Sequence, residues 1–316
     1  MFKFTKAFFN PHHKSYYHKD DKNIFDIAHS IASCGYMDTV MKEKGVDLDR
    51  NKAYAKGTMD ITKIPIFCEF DIWKKYDCEK NDFNKMNELT LYLVKSKVKN
   101  MFFNRTYNLS YGMYLKKYSE DVEIIYYKIP SKYAKVDYEK LILDLWNMKF
   151  EDDEVKDKKI KKMLFNINIG LLEKQSNTVK KSVILVIFNK MVDAFYYQEM
   201  YGGNINVINE IERDDEKDEF GFTNIISENK HYVLNISDTK TLKNGYKYIK
   251  EMILQNHNYA MNTAYETLVK NGINVYSVKT DAFVIDRFNL KKAQGLLNFS
   301  NAIGDWKYNY KYTCPN

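Results

Sequence analysis

Apolar positions recur along this chain in two rhythms, and the changes of rhythm mark out its elements. Ile24, Ile27, Ala28, Ile31 and Met37 return at roughly helical spacing, which predicts a helix over 21–45 with Gly45 as its C-terminal cap. Val46-Asp-Leu-Asp-Arg50 then alternates, so a short strand sets Asp47 and Asp49 on one of its faces. Strand signals dominate residues 60–132, clearest in 89–94 and 122–129, until Pro130-Ser131 closes them. The period switches again at 137–148 and 153–175, two predicted helices joined by the polar turn Lys149–Asp152. So short a turn predicts an antiparallel helical hairpin.

Further along, Ser182–Phe188 reads as a buried strand, and the acidic stretch 210–219 as a solvated loop. Ile249, Met252, Ile253, Ala260, Ala264, Tyr265 and Leu268 share one face of a long amphipathic helix over 246–270, ended by Asn271-Gly272. Val275–Val278 and Ala282–Asp286 flank the three residues Lys279-Thr280-Asp281, which predicts a hairpin carrying a carboxylate at its tip. With 4 prolines, 12 glycines and no internal repeat, the chain offers no linker, and the expectation is one compact unit with inserted subregions.

Composition narrows the class. A chain of 316 residues with 45% apolar and 29% charged residues can bury a proper core, and no apolar run is long enough to span a membrane. The start lacks a signal peptide's long apolar stretch, so the expectation is a protein that is not secreted. Cys34, Cys68, Cys78 and Cys314 form no CxxC pair, which argues against a disulfide framework or a zinc knuckle. His12, His13 and His18 have no matching ligand pattern and read as a surface cluster. A net charge of +7 permits a polyanionic partner without requiring one. Among 49 basic residues only Arg50, Arg105, Arg213 and Arg287 are arginine, a bias that points to an A+T-rich genome such as a virus or mobile element carries.

Chemistry gathers in three segments. An acidic residue on a strand and another at a hairpin tip, brought together, supply the hard oxygen ligands that Mg²⁺ takes, and Asp49 and Asp281 are the candidate pair, with Asp47 as substitute. Lys158, Lys162 and Asn166 stand four apart, so one helix face presents both ammonium groups and the amide; Gly170 permits close approach at its end. Ammonium groups suit the phosphates of a nucleotide.

Taken in order, Asp49-Arg-Asn-Lys-Ala-Tyr54, Lys162-Met-Leu-Phe-Asn166-Ile-Asn-Ile-Gly170 and Lys279-Thr280-Asp281-Ala282 resemble motifs A, B and C of the family B DNA polymerases, in the compact viral and protein-primed branch. The resemblance implies an α/β fold: a polymerase palm with β-sheet, helical-hairpin fingers and a truncated or minimal thumb. It would divide the chain into an N-terminal helical lead (1–45), palm (46–130), fingers (131–180), a second palm segment (181–290) and a C-terminal tail or start of a thumb (291–316).

It further implies template-directed transfer from dNTP to a primer 3′-hydroxyl, with two Mg²⁺ held by Asp49 and Asp281. Lys162, Lys158, Asn166 and Gly170 would then serve the incoming nucleotide, and Tyr54 would lie under its sugar and exclude a 2′-hydroxyl. Primer-template DNA is the implied partner, with a terminal protein or a separate polymerase subunit beside it, at a cytoplasmic or viral replication site. Only 48 residues precede Asp49, so the expectation is no proofreading exonuclease domain. The chain departs from the pattern at Lys279, where the family has an aspartate, and at Lys52, Ala55, Ile167, Ile169 and Ala282. Two other readings stay open: an inactive palm remnant that binds nucleic acid, and a metal-dependent nuclease.

Overall fold

Alternation in the strand Gly45–Arg50, β1, decides which of its side chains are buried. Val46 and Leu48 are 1% and 0% exposed, while Asp47 and Asp49 remain half-buried on the opposite face. The computed structural model describes Thr5 and residues 8–28, 45–77, 87–217 and 223–309. Three further strands complete the sheet: β2 (Val275–Val278), β3 (Ala282–Asp286) and β4 (Trp306–Asn309), in the order β2-β3-β1-β4. In this antiparallel arrangement Ala282 lies opposite Asp49 on one side of β1, and Lys307 opposite Asp49 on the other.

Four helices frame this sheet and its surroundings: α1 (Ala53–Met59), α2 (Tyr138–Asn147), α3 (Glu154–Leu171) and α4 (Lys247–Lys270). The last is a spine. Its second half contributes Met261, Ala264 and Leu268 to a core with Val46, Leu48, Phe283, Ile285 and Trp306 behind the site sheet. Its first half contributes Tyr248, Ile249, Met252 and Ile253 to a larger core that includes Leu91, Leu93, Leu109, Tyr111 and Tyr127. Those five belong to a second antiparallel sheet, ordered Lys74–Lys75, Val122–Lys128, Leu91–Ser96, Tyr107–Tyr111. The Tyr111 amide donates to Gln255 Oε1 at 2.7 Å and the Tyr111 hydroxyl to the Tyr248 carbonyl at 2.9 Å, so polar bonds also fasten this sheet to α4. Lys128 and Asp21 form a fully buried ion pair at 2.6 Å, with the Lys128 ammonium also donating to Tyr248 Oη at 2.9 Å. Removing either partner leaves a buried charge uncompensated, at a cost of about 3–5 kcal/mol.

Residues 177–242 form a compact unit of their own, apart from 1–176 with 243–316. Most of its residues belong to the strands Asn204–Lys217 and Thr223–Gly245, which pair as a long antiparallel ribbon, to Gln175–Phe188, also paired to Thr223–Gly245, and to the helix Met191–Tyr201, which precedes the ribbon. The expected loop at 210–219 is therefore strand as far as Lys217. Backbone bonds make such a ladder and leave its side chains free to be charged. Ser182–Phe188 does lie in a strand, but Ile184, Leu185 and Ile187 are exposed rather than buried.

The expected helix at 21–45 is Lys19–Ala28 where described; Ile31, Met37 and the helix end that Gly45 would cap lie outside the described residues, and Gly45 itself opens β1. The second helix of the 137–175 pair ends at Leu171. Among the described residues no helix is long and apolar enough to cross a membrane.

One buried acid on the spine gives the fold a measurable pH dependence. Glu251 is 2% exposed, and burial pushes its carboxyl up to about 7, although Gln255 Nε2 donates to it at 3.1 Å. The folded chain therefore keeps a proton that the unfolded chain releases near its ordinary value of 4.5. Stability accordingly falls as pH rises from about 4.5 to about 7, by roughly 3 kcal/mol in all. Glu251→Gln should be more stable than the parent at pH 8 by about that amount, and the gap should close below about pH 5 when urea midpoints are compared across pH.

Candidate active site

The helix α3 is oriented by its own polar residues, exposed at its start and buried along its inner face. Asp153 caps it by accepting from the amides of Val155 and Lys156 at 2.8 and 3.1 Å. Asp157 pairs with Lys161 at 2.6 Å, and Lys161 also donates to the Trp146 carbonyl at 2.9 Å. Trp146 of α2 meets Phe165 edge-on at 5.7 Å. With Lys161, Leu164, Phe165 and Asn168 turned inward, residues 158, 162 and 166 share the outward face.

That face borders a cavity of about 270 Å³ lined by residues 49–55, Trp146, Lys158, Lys162, Phe165, Asn166, Asp281 and Lys307. The structure thus brings together Asp49, Tyr54, Lys158, Lys162, Asn166 and Asp281. Gly170 is outside this lining; a Cβ added there meets nothing within 4 Å, so no close approach among the described residues requires a glycine. Asp47 does not line the cavity either.

Backbone geometry fixes the two carboxylates. The Lys279 amide donates to the Ala282 carbonyl at 2.8 Å, closing the β2–β3 turn, and the Arg50 amide donates to the Asp281 carbonyl, also at 2.8 Å. Asp281 is consequently held against the end of β1, beside Asp49. Burial, and then the neighbouring charge of Asp49, push the Asp281 carboxyl above its ordinary value, while Lys162 and Lys307 pull it back. Two carboxylates placed side by side in this way offer the hard oxygen donors suited to Mg²⁺, an ion that keeps several waters and needs few protein ligands. Among the described residues no group of three His, Cys, Asp or Glu side chains converges on one point.

Five cations stand in the rest of the wall: Arg50, Lys52, Lys158, Lys162 and Lys307. Lys52 adopts a left-handed conformation with φ 51° where the chain turns from β1 into α1, and its ammonium lies 5.0 Å from the Trp146 ring centre. Burial, with Lys161, Lys158 and Lys307 nearby, lowers its ionisation range. Lys158 is held by Glu154 at 3.4 Å across one helical turn. The departure at Lys279 resolves away from the pair: its ammonium binds Asp47 at 3.0 Å, on the same strand face but outside the cavity. Asp49 has a partner that sequence reading missed, Lys307 of β4, at 2.8 Å. No local pattern flags Lys307, because only the β4–β1 register sets it opposite Asp49.

These features define a mixed α/β protein with several sheets and a DNA-polymerase-like fold. Among solved structures, the chain is similar to phi29 DNA polymerase complexed with primer-template DNA, in a post-translocation binary complex, at TM-score 0.54 and 12% identity over 96% of this chain and 50% of that one. It is similar also to an orthorhombic crystal form of phi29 DNA polymerase, at TM-score 0.51 and 12% identity over 96% of this chain and 51% of that one. The chain thus spans about half the length of the polymerase it resembles. No protein-family model matches it, and no curated protein does.

The coupling of the two carboxylates is open to direct measurement. Asp49→Asn should move the Asp281 carboxyl titration to lower pH, and Lys162→Met should move it to higher pH, as followed by carboxyl-carbon NMR. No change in either variant would show that the groups do not face one another.

Proposed function

We propose that this chain is a template-directed DNA polymerase that joins dNTPs to the 3′-hydroxyl of a primer. One observation carries the reading: Asp49 and Asp281 share a single cavity with Lys158, Lys162, Asn166 and Tyr54, in a fold resembling that of a DNA polymerase. On this reading the site sheet and the sheet of residues 74–128 belong to the palm, α2 and α3 to the fingers, and β4 extends the palm beyond residue 290.

Asp49 and Asp281 would hold Mg²⁺, which when bound supplies electrostatic stabilisation of the attacking and leaving oxygens in displacement at phosphorus. Lys162, whose charge acts on Asp281, and Lys158 line the cavity from α3 and would grip the triphosphate, which the excess of cations in the cavity wall also favours. Asn166, one turn beyond Lys162, can donate to a phosphate or sugar oxygen. Tyr54 presents its ring from α1 and would lie beneath the sugar, excluding a 2′-hydroxyl. Primer-template DNA is the partner this chemistry requires.

In primer extension with Mg²⁺, the parent should add nucleotides, and Asp281→Asn should lower the rate by about a thousandfold, the loss of several kcal/mol of charge stabilisation. Lys162→Ala should raise KM for dNTP and lower kcat/KM by about ten- to a thousandfold, with primer-template affinity within about twofold of the parent. A parent no faster than Asp281→Asn would leave the non-catalytic, DNA-binding reading in its place.

That second reading has one observation in its favour, the Lys307–Asp49 ion pair, since an ammonium on a carboxylate competes with a cation for it. The pair is half exposed, however, and such pairs contribute only about 0–1 kcal/mol, too little to bar a divalent ion. Lys307→Met should therefore tighten Mn²⁺ binding by no more than about tenfold, measured by calorimetry or paramagnetic resonance. Metal binding seen only in the variant would mean that Lys307 silences the site.

A further inference from the structure

A buried histidine outside the cavity lining touches both sides of the site. His257 on α4 is 0% exposed, and its ring stacks on Tyr54 with centres 4.3 Å apart and planes 28° from parallel. Its Nε2 lies 2.9 Å from the Thr280 carbonyl, in the turn that carries Asp281. A carbonyl can only accept, so Nε2 bears the proton. The other ring nitrogen, Nδ1, is buried with no partner among the described residues, none of which is placed to receive a second N–H.

The backbone around the ring is held as firmly. A Cβ added to Gly57 would stand 3.3 Å from the His257 amide nitrogen and from the Ile253 carbonyl, so α1 crosses α4 in close contact at this point. Asn256 Nδ2 donates to the Gly57 carbonyl at 2.7 Å and ties the crossing.

We propose that His257 is a positioning residue that fastens the Tyr54 ring and the Thr280-Asp281 turn into one unit, so that the group sensing the sugar and the carboxylate holding the metal are set by the same imidazole. The roles of Tyr54 and Asp281 rest here on the polymerase reading; the physical coupling between them does not. A face for stacking and an edge N–H for the turn are both needed, and neutral imidazole supplies them together. Burial lowers the imidazole to about 4, with Arg50 acting in the same direction, so the ring is neutral at physiological pH. A 2′-hydroxyl pressing on Tyr54 would press through the ring on the turn, and discrimination against ribonucleotides would then appear in kcat as well as in KM.

Two variants separate the two contacts. His257→Gln keeps an N–H donor and removes the ring; His257→Phe keeps the ring and removes the donor. His257→Gln should reduce discrimination against ribonucleotides by about tenfold or more while leaving kcat for dNTP within about threefold. The Phe variant should lower kcat for dNTP by about tenfold, with KM within about threefold and sugar discrimination kept. Both variants losing both properties in step with their melting temperatures would reduce His257 to a core residue and overturn the proposal.

A second readout does not need activity. Tyr54→Leu should shift the Asp281 backbone amide resonance in the parent, and the shift should vanish in a His257→Gln background. A shift that persists unchanged there overturns the coupling. A parent that extends no primer yet shows the His257-dependent shift would overturn the polymerase reading alone.

Discussion

Everything at the site depends on one strand pairing, that of β3 with β1 in the register that sets Ala282 opposite Asp49. The pairing joins segments more than 230 residues apart, and packing keeps it from slipping. Leu48 and Phe283, paired across it, are both fully buried, and the Phe283 ring stacks on Trp306 of β4 at 5.1 Å. A slip of one residue would turn these into solvent and the aspartates into the core, a loss of about 1.5–3 kcal/mol for each large apolar side chain exposed, before the cost of burying charge. Hydrophobic burial behind the sheet therefore determines where the carboxylates stand in front of it.

The electrostatics follow from that placement. Two carboxylates at neighbouring strand ends repel, and the chain keeps them together by surrounding them with ammonium groups rather than by separating them. Lys307 takes Asp49, Lys162 faces Asp281 from α3, and Lys279 is drawn off to Asp47. Each of these lysines is partly exposed, so each attraction is weak and replaceable by an incoming cation or phosphate. Such a balance offsets the repulsion of the two carboxylates without closing the site to ligands.

Legibility from sequence tracks how local each cause is. The 24-residue spine α4, the β2–β3 hairpin and the facing of Asp47 with Asp49 are readable because period and turn length alone produce them. The spacing of Lys158, Lys162 and Asn166 likewise puts them on one face. What stays hidden depends on partners distant in sequence. Lys307 acquires its role from the β4–β1 register, and His257 looks like any polar residue of an amphipathic helix until α1 and the hairpin tip are packed against it. The strand through the acidic stretch 210–217 is concealed because its charged composition mimics a loop, whereas its ladder is made by backbone. Gly170 suggests a point of close approach, yet among the described residues nothing lies within 4 Å of a Cβ placed there.

The departures from the polymerase pattern can be weighed on the same physical terms. Ala282, in place of a serine, lies directly opposite Asp49, where a small side chain leaves the carboxylate room and no competing hydroxyl. Lys279, in place of an aspartate, points to Asp47, so the charge that would oppose a metal is neutralised one residue pair away from it. Lys52, in place of a serine, adds a cation to the cavity wall. At each of these positions the substitution preserves the space or adds positive charge around an unchanged pair of aspartates. Of these three only Lys52 lines the cavity, and the Lys279 ammonium is held outside it by Asp47, so among the described residues neither added lysine forms an ion pair with Asp49 or Asp281.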